Sequence, residues 1–192
     1  MTDRPLRWCV FDTETSGLID PVLYVLTIWD SETNWTYNFT LENVLMGVAM
    51  LETADVVVSW NGMSYDRDVL THAISRNLVL PHQLDLYRWL TKDRPAFEKG
   101  WKLEDVSLRL FNEAKGEPSS VIPGLWARGE QLTVLAHCTR DVYLTRSVLE
   151  HLRDRGWMLD PYGAVLDLEV PEWWQRLVVP ACGAPSAPGC SV

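Results

Sequence analysis

The chain has 192 residues and a net charge of −9 at pH 7, with 47% hydrophobic and 22% charged side chains. That composition suits one globular domain with a sizeable core and excludes a disordered or membrane-embedded chain. The acidic balance argues against a broad surface for non-specific duplex binding, and no apolar run reaches the roughly 18 residues of a membrane span.

Leu6 to Asp12 reads as a first strand, and Val22 to Trp29, rich in β-formers, as a second. Asp30 to Asn34 is turn-like, and Trp35 to Phe39 alternates as a third strand, so the second and third strands form an antiparallel hairpin. Trp8, Trp29 and Trp35 read as sheet packing. Apolar groups at Leu41, Val44, Leu45, Val48 and Leu51 have helical spacing, with Thr40 as the cap. Asp55 to Trp60 is a short apolar run typical of a buried strand. Asn61-Gly62 breaks it, and Ser64 caps a helix reaching about Asn77.

Leu84 to Leu90 fits a short strand or a turn of helix, and Thr91 to Gly100 a polar surface loop. Leu103 to Phe111 is a helix. Asn112 to Gly124, rich in Gly, Pro and Ser, reads as an irregular connection. Glu130 to about Arg153 is the longest helical pattern, with a break conceivable near Thr133, and Gly156 stops it. Pro161 to Arg176, with Trp173-Trp174, packs back on the body. The segment from Pro180 has the composition of a disordered tail. The whole pattern is α/β, a central mixed sheet flanked by helices.

The four cysteines, Cys9, Cys138, Cys182 and Cys190, have no zinc-ligand spacing. Cys9 reads as a small buried hydrophobe, and Cys182 and Cys190 would pair only under oxidation. With no signal-peptide pattern after Arg4 and Arg7, the expected location is cytoplasmic.

Two carboxylates, Asp12 and Glu14, stand two residues apart at the end of the first strand. Period-2 alternation puts them on one face. Like charges so close repel, and a divalent cation between them offsets the repulsion. Asp66 falls in the first turn of the helix after Asn61-Gly62, where the helix dipole also favours an acid. His137 and Asp141, four residues apart, share one face of the long helix. A histidine there, near neutral pKa, has the chemistry to take a proton from water. His72, His82 and His151 have no such partners. Trp60 fits either a site wall or the core.

The blocks FDTETSGL, NGMSYDRDVL and HCTRD, in this order, resemble the three motifs of the DEDD-type, DnaQ-like 3′-to-5′ exonucleases, in the branch related to the exonuclease domain of family B polymerases. The resemblance covers about Leu6 to Leu152. It implies an RNase H-like fold and an exonuclease domain at 1–160, followed by an extension at 161–179 and a tail at 180–192. It implies two divalent ions, Mg²⁺ or Mn²⁺, held by Asp12, Glu14, Asp66 and Asp141, and a general-base position at His137. Three residues separate His137 from Asp141, a spacing that departs from the commonest family patterns and leaves open whether His137 removes the proton or only orients the water. By the same resemblance Thr15, Gly17, Leu18 and Asn61 would contact the terminal nucleotide of a single-stranded or frayed 3′ end, DNA in preference to RNA. Cleavage would release nucleoside 5′-monophosphates. The rival readings are an RNase H-like endonuclease and an inactive nucleic-acid- or protein-binding module.

Overall fold

The computed structural model describes residues 4–92, 94, 99–113 and 118–178. The segment read as a disordered tail, with Cys182 and Cys190, lies outside them, as does part of the loop expected at 91–100.

A five-stranded sheet forms the centre: β1 (Trp8–Thr15), β2 (Leu23–Asp30), β3 (Trp35–Phe39), β4 (Val56–Ser59) and β5 (His82–Asp85), in the order β3-β2-β1-β4-β5. The first three strands pair antiparallel, and β1, β4 and β5 run parallel. This is the mixed sheet expected. Helix α1 (Val44–Thr53) links β3 to β4, and α2 (Tyr65–Ile74) links β4 to β5. Then follow α3 (Leu86–Thr91), α4 (Leu103–Phe111), α5 (Ile122–Ala127), the long α6 (Gln131–Arg155) and a small hairpin of β6 (Trp157–Leu159) and β7 (Val165–Asp167).

Alternation along β1 builds two cores. Cys9 and Phe11 point to α1 and α2, packing with Val48, Leu51, Val69 and Leu70. Trp8 and Val10 point the other way, to α3, α4 and α6, with Leu86, Val106, Val148 and Leu149. Burial of each such Val or Leu contributes about 1.5–3 kcal/mol, so α6 is held on the sheet by its apolar stripe. Trp174 is fully buried in the second core, and Leu6 N–H donates to the Arg176 carbonyl at 2.9 Å, tying the segment before β1 to the segment after β7.

Several local expectations need correction. β1 does not end at Asp12. Its pairing with β2 continues to Thr15, so both acids lie within the strand. α1 starts after Asn43 rather than Thr40, because the Asn43 side chain accepts from the Thr40 N–H at 2.8 Å and closes a turn before the helix. Ser64 precedes α2 but makes no side-chain cap bond. The stretch from Leu84 to Leu90 holds both the end of β5 and a short helix, α3. The connection read as irregular contains a 3₁₀ turn and α5. Pro123 opens that helix, in the first turn where its missing N–H costs nothing. α6 is continuous through Thr133. Trp35 does not pack in the sheet. It is 66% exposed at the turn end of β3, the edge strand. Trp60 is half-buried against the α6-side core, its ring centroid 6.3 Å from that of Tyr87.

Candidate active site

The C-terminal half of β1 continues the alternation of the core with polar side chains. Asp12 and Glu14 follow Trp8 and Val10 onto the α6 side, and Thr13 follows Phe11 onto the α2 side. From α6, His137, Cys138 and Asp141 reach the same strand end, and all three are buried. The His137 Nδ1 lies 2.7 Å from the Glu14 Oε1. A carboxylate can only accept, so Nδ1 is the donor to an ionised Glu14, and in a neutral imidazole the lone pair is then on Nε2. Cys138 Sγ contacts the Asp12 Oδ2 at 3.5 Å and its carbonyl at 3.4 Å.

The acidic atoms form two clusters. Asp12, Glu14 and Cys138 bring one potential ligand atom each within 4.8 Å of one another, as do Glu14, His137 and Asp141. Carboxylate oxygens suit hard divalent cations. Glu14 and Asp141 are buried, which makes their shared charge costly without a compensating cation. The donor set therefore fits a divalent ion. The thiol is a poor member of it: complete burial, and then the nearby charges of Asp12 and Glu14, push the Cys138 pKa well up. It stays protonated and serves as a donor to Asp12.

Asp66 arrives from the opposite face of the sheet. It is buried in the first turn of α2 and accepts a hydrogen bond from the Thr13 hydroxyl. Burial, and secondarily the charge of Glu14, raise its pKa to about 7, while the Thr13 bond works against the rise. An acid whose folded pKa exceeds its unfolded value, near 3.9, stabilises the fold below that value and loses the contribution as pH rises through about 7. Metal-free protein is expected to melt lower at pH 8 than at pH 5. Because a divalent ion favours the ionised carboxylates, millimolar Mn²⁺ is expected to raise the melting temperature more at pH 8 than at pH 5. Equal shifts at the two pH values, read by scanning fluorimetry, would contradict this account.

The turn before α2 is shaped by a residue that the motifs do not single out for this. The Asp85 carboxylate accepts from the backbone N–H of Asn61 at 2.9 Å and of Met63 at 3.3 Å. It thereby holds Asn61 in a left-handed conformation, φ 59°. Next to it, a Cβ on Gly62 would meet the Asp66 Oδ2 at 2.8 Å and the Ser59 Cβ at 2.9 Å. Gly62→Ala is expected to destabilise the protein by about 1–3 kcal/mol and to weaken metal binding by displacing Asp66. Denaturant melts of the variant with and without Mn²⁺ check both effects.

The residues expected near a terminal nucleotide divide. The Thr15 and Tyr65 hydroxyls lie 2.7 Å apart, and Tyr65 also donates to the Gly17 carbonyl at 2.5 Å, pinning the loop after β1 to α2. Gly17 takes φ 139°, a conformation that side chains rarely adopt. Leu18, 83% exposed, lines a cavity of about 580 Å³ together with Tyr65, Val69 and His72. Asn61 is exposed, and its backbone rather than its side chain carries the contact above. Thr13 and Cys138 were not singled out as site residues. The alternation of β1 already placed Thr13 opposite the acids, whereas nothing in the spacing pointed to Cys138.

Among the described residues no helix is long and apolar enough to cross a membrane. No curated protein matches the sequence. Among solved structures, the family B DNA polymerase from the hyperthermophilic archaeon Pyrobaculum calidifontis shares the fold, with a TM-score of 0.61 and 17% identity over 77% of this chain and 24% of the polymerase. This chain thus spans about a quarter of that protein's length. The sheet order and the acidic strand end crossed by α6 are compatible with a nuclease-type hydrolase, and the family comparison agrees with the architecture: a model of the RNase H superfamily matches residues 9–153, and the chain belongs to that superfamily.

Proposed function

We propose that the protein is a two-metal-ion 3′-to-5′ exonuclease acting on single-stranded or frayed 3′ ends, DNA in preference to RNA, and releasing nucleoside 5′-monophosphates. One observation carries the reading: Glu14 of β1 joins two overlapping groups of potential ligand atoms at one strand end, one with the half-buried Asp12 and Cys138, the other with His137 and Asp141 of α6. Asp12, Glu14 and Asp141 would hold the ions, with Asp66, which belongs to neither group, contributing from the α2 side. The chemistry that bound Mg²⁺ or Mn²⁺ would supply there is water activation and charge neutralisation for an in-line displacement at phosphorus.

The chain's own groups supply the rest. With Nδ1 donating to Glu14, a neutral His137 has its lone pair on Nε2, where it takes or orients the proton of the attacking water. Thr13 of β1 holds Asp66 on the α2 side of the sheet. The loop pinned by Tyr65 presents Thr15, Gly17 and Leu18 to the terminal nucleotide, which the adjoining cavity receives. A paired end must first unpair to enter, which favours single strands. Asn61 lies at the mouth of the α2 turn and supports the terminal phosphate.

The test uses matched single-stranded DNA and RNA labelled at the 5′ end, with Mg²⁺ or Mn²⁺ and an EDTA control. Stepwise shortening by one nucleotide, stopped by EDTA, is the expected result. Cutting of a circular single strand would replace the exonuclease with an endonuclease of the same superfamily. Binding without any cleavage would make the protein a binding module.

A further inference from the structure

β2 carries an irregularity beside the acidic cluster. Glu14 pairs with Val25 but Thr15 pairs with Leu23, so Tyr24 is the extra residue of a bulge. Bulges next to active sites re-aim side chains. Here the Tyr24 ring turns onto α5 and stacks on Trp126, with centroids 4.4 Å apart and planes 5° from parallel. The pair adjoins a small apolar cluster that includes Val25 and Cys138, and Cys138 touches Asp12. Both rings are only half-buried. The core pair Trp8 and Trp29, by contrast, is buried and meets at 61°.

The acidic cluster thus has two flanks. The cavity with Leu18 and Tyr65 lies on the α2 side, and the stacked rings lie on the α5 side. A strand whose terminal nucleotide fills the cavity and whose scissile phosphate sits at the acids continues away from the cavity. We propose that the Tyr24–Trp126 stack is a platform for a base upstream of the scissile phosphate of a single-stranded substrate. The inference rests on the exonuclease reading. Flat aromatic faces bind any base, so the platform would provide grip without sequence preference.

The test compares the parent with Trp126→Leu, which keeps apolar volume, and Trp126→Phe, which keeps an aromatic face. Trp126→Leu is expected to raise KM for a single strand roughly tenfold with little change in kcat, and Trp126→Phe to recover most of the loss. Abasic residues placed in turn at the nucleotides before the terminal one supply the decisive readout. At the stacked position, the abasic substrate should erase the difference between parent and Trp126→Leu. An unchanged KM, or an equal penalty at every abasic position, would overturn the platform and leave the exonuclease standing. If the parent shortens no 3′ end, the exonuclease reading fails separately. Metal-free anisotropy with a fluorescein-labelled single-stranded oligonucleotide then decides the platform: roughly tenfold weaker binding by Trp126→Leu supports it, and equal binding sinks it.

Discussion

Asp12→Asn is expected to lower the rate of 3′-end shortening by about a thousandfold or more while leaving the fold intact. The substitution is isosteric and keeps an oxygen near the Cys138 thiol, which contacts the Asp12 carboxylate at 3.5 Å. What it removes is one charge from a cluster that also contains Glu14. Loss of a few kcal/mol of charge stabilisation in the transition state accounts for a drop of that size, at roughly 1.4 kcal/mol per factor of ten. The same change relieves repulsion among carboxylates in the metal-free protein. The melting temperature without metal should therefore rise, and its increase on adding Mn²⁺ should shrink. Steady-state rates and thermal melts measured together check this. An inactive variant that also melts lower without metal would point to a structural role for Asp12.

His137→Gln separates two roles that the open spacing of the third motif leaves side by side. His137 is buried and its Nδ1 is 2.7 Å from the Glu14 Oε1. A glutamine amide can still donate to Glu14, but it has no titratable lone pair. If Nε2 removes the proton, His137→Gln loses about 10²-fold or more in kcat. The acid limb of the pH–rate profile also disappears, because a general base must be neutral to act and its rate rises with pH through its pKa. That outcome is the expected one. If His137 only orients Glu14 and the water, glutamine restores most of the rate and the limb remains. His137→Ala is the less informative variant, because it also removes the group that contacts the buried Glu14 carboxylate and so mixes the two effects.

Much of the architecture was legible because it depends on periodicity. β-formers in β2 and alternation in β3 marked strands, the 3.6-residue stripe of α6 marked a helix, and Gly156, left-handed at φ 68°, marked its end. The facing of Asp12 and Glu14 also followed from alternation alone, and their α6 partners bear it out. Boundaries were less legible. β1 runs on to Thr15 because β2 pairs with it, and α5 forms where Gly and Pro suggested only a connection. Such extensions depend on partners distant in sequence, which local propensity does not register.

By itself the sequence determined the α/β class, the order of three acidic blocks and the chemical types they carry. Only the tertiary structure decided which atoms meet. It joined His137 to Glu14 across 123 positions of chain, set Thr13 against Asp66 from the other side of the sheet, turned Asp85 onto the Asn61 turn, and re-aimed Tyr24 through a bulge. The physical reason is that repeat period fixes the face on which a side chain stands, while its partner is fixed by how sheets and helices pack and by which buried polar groups must find one another.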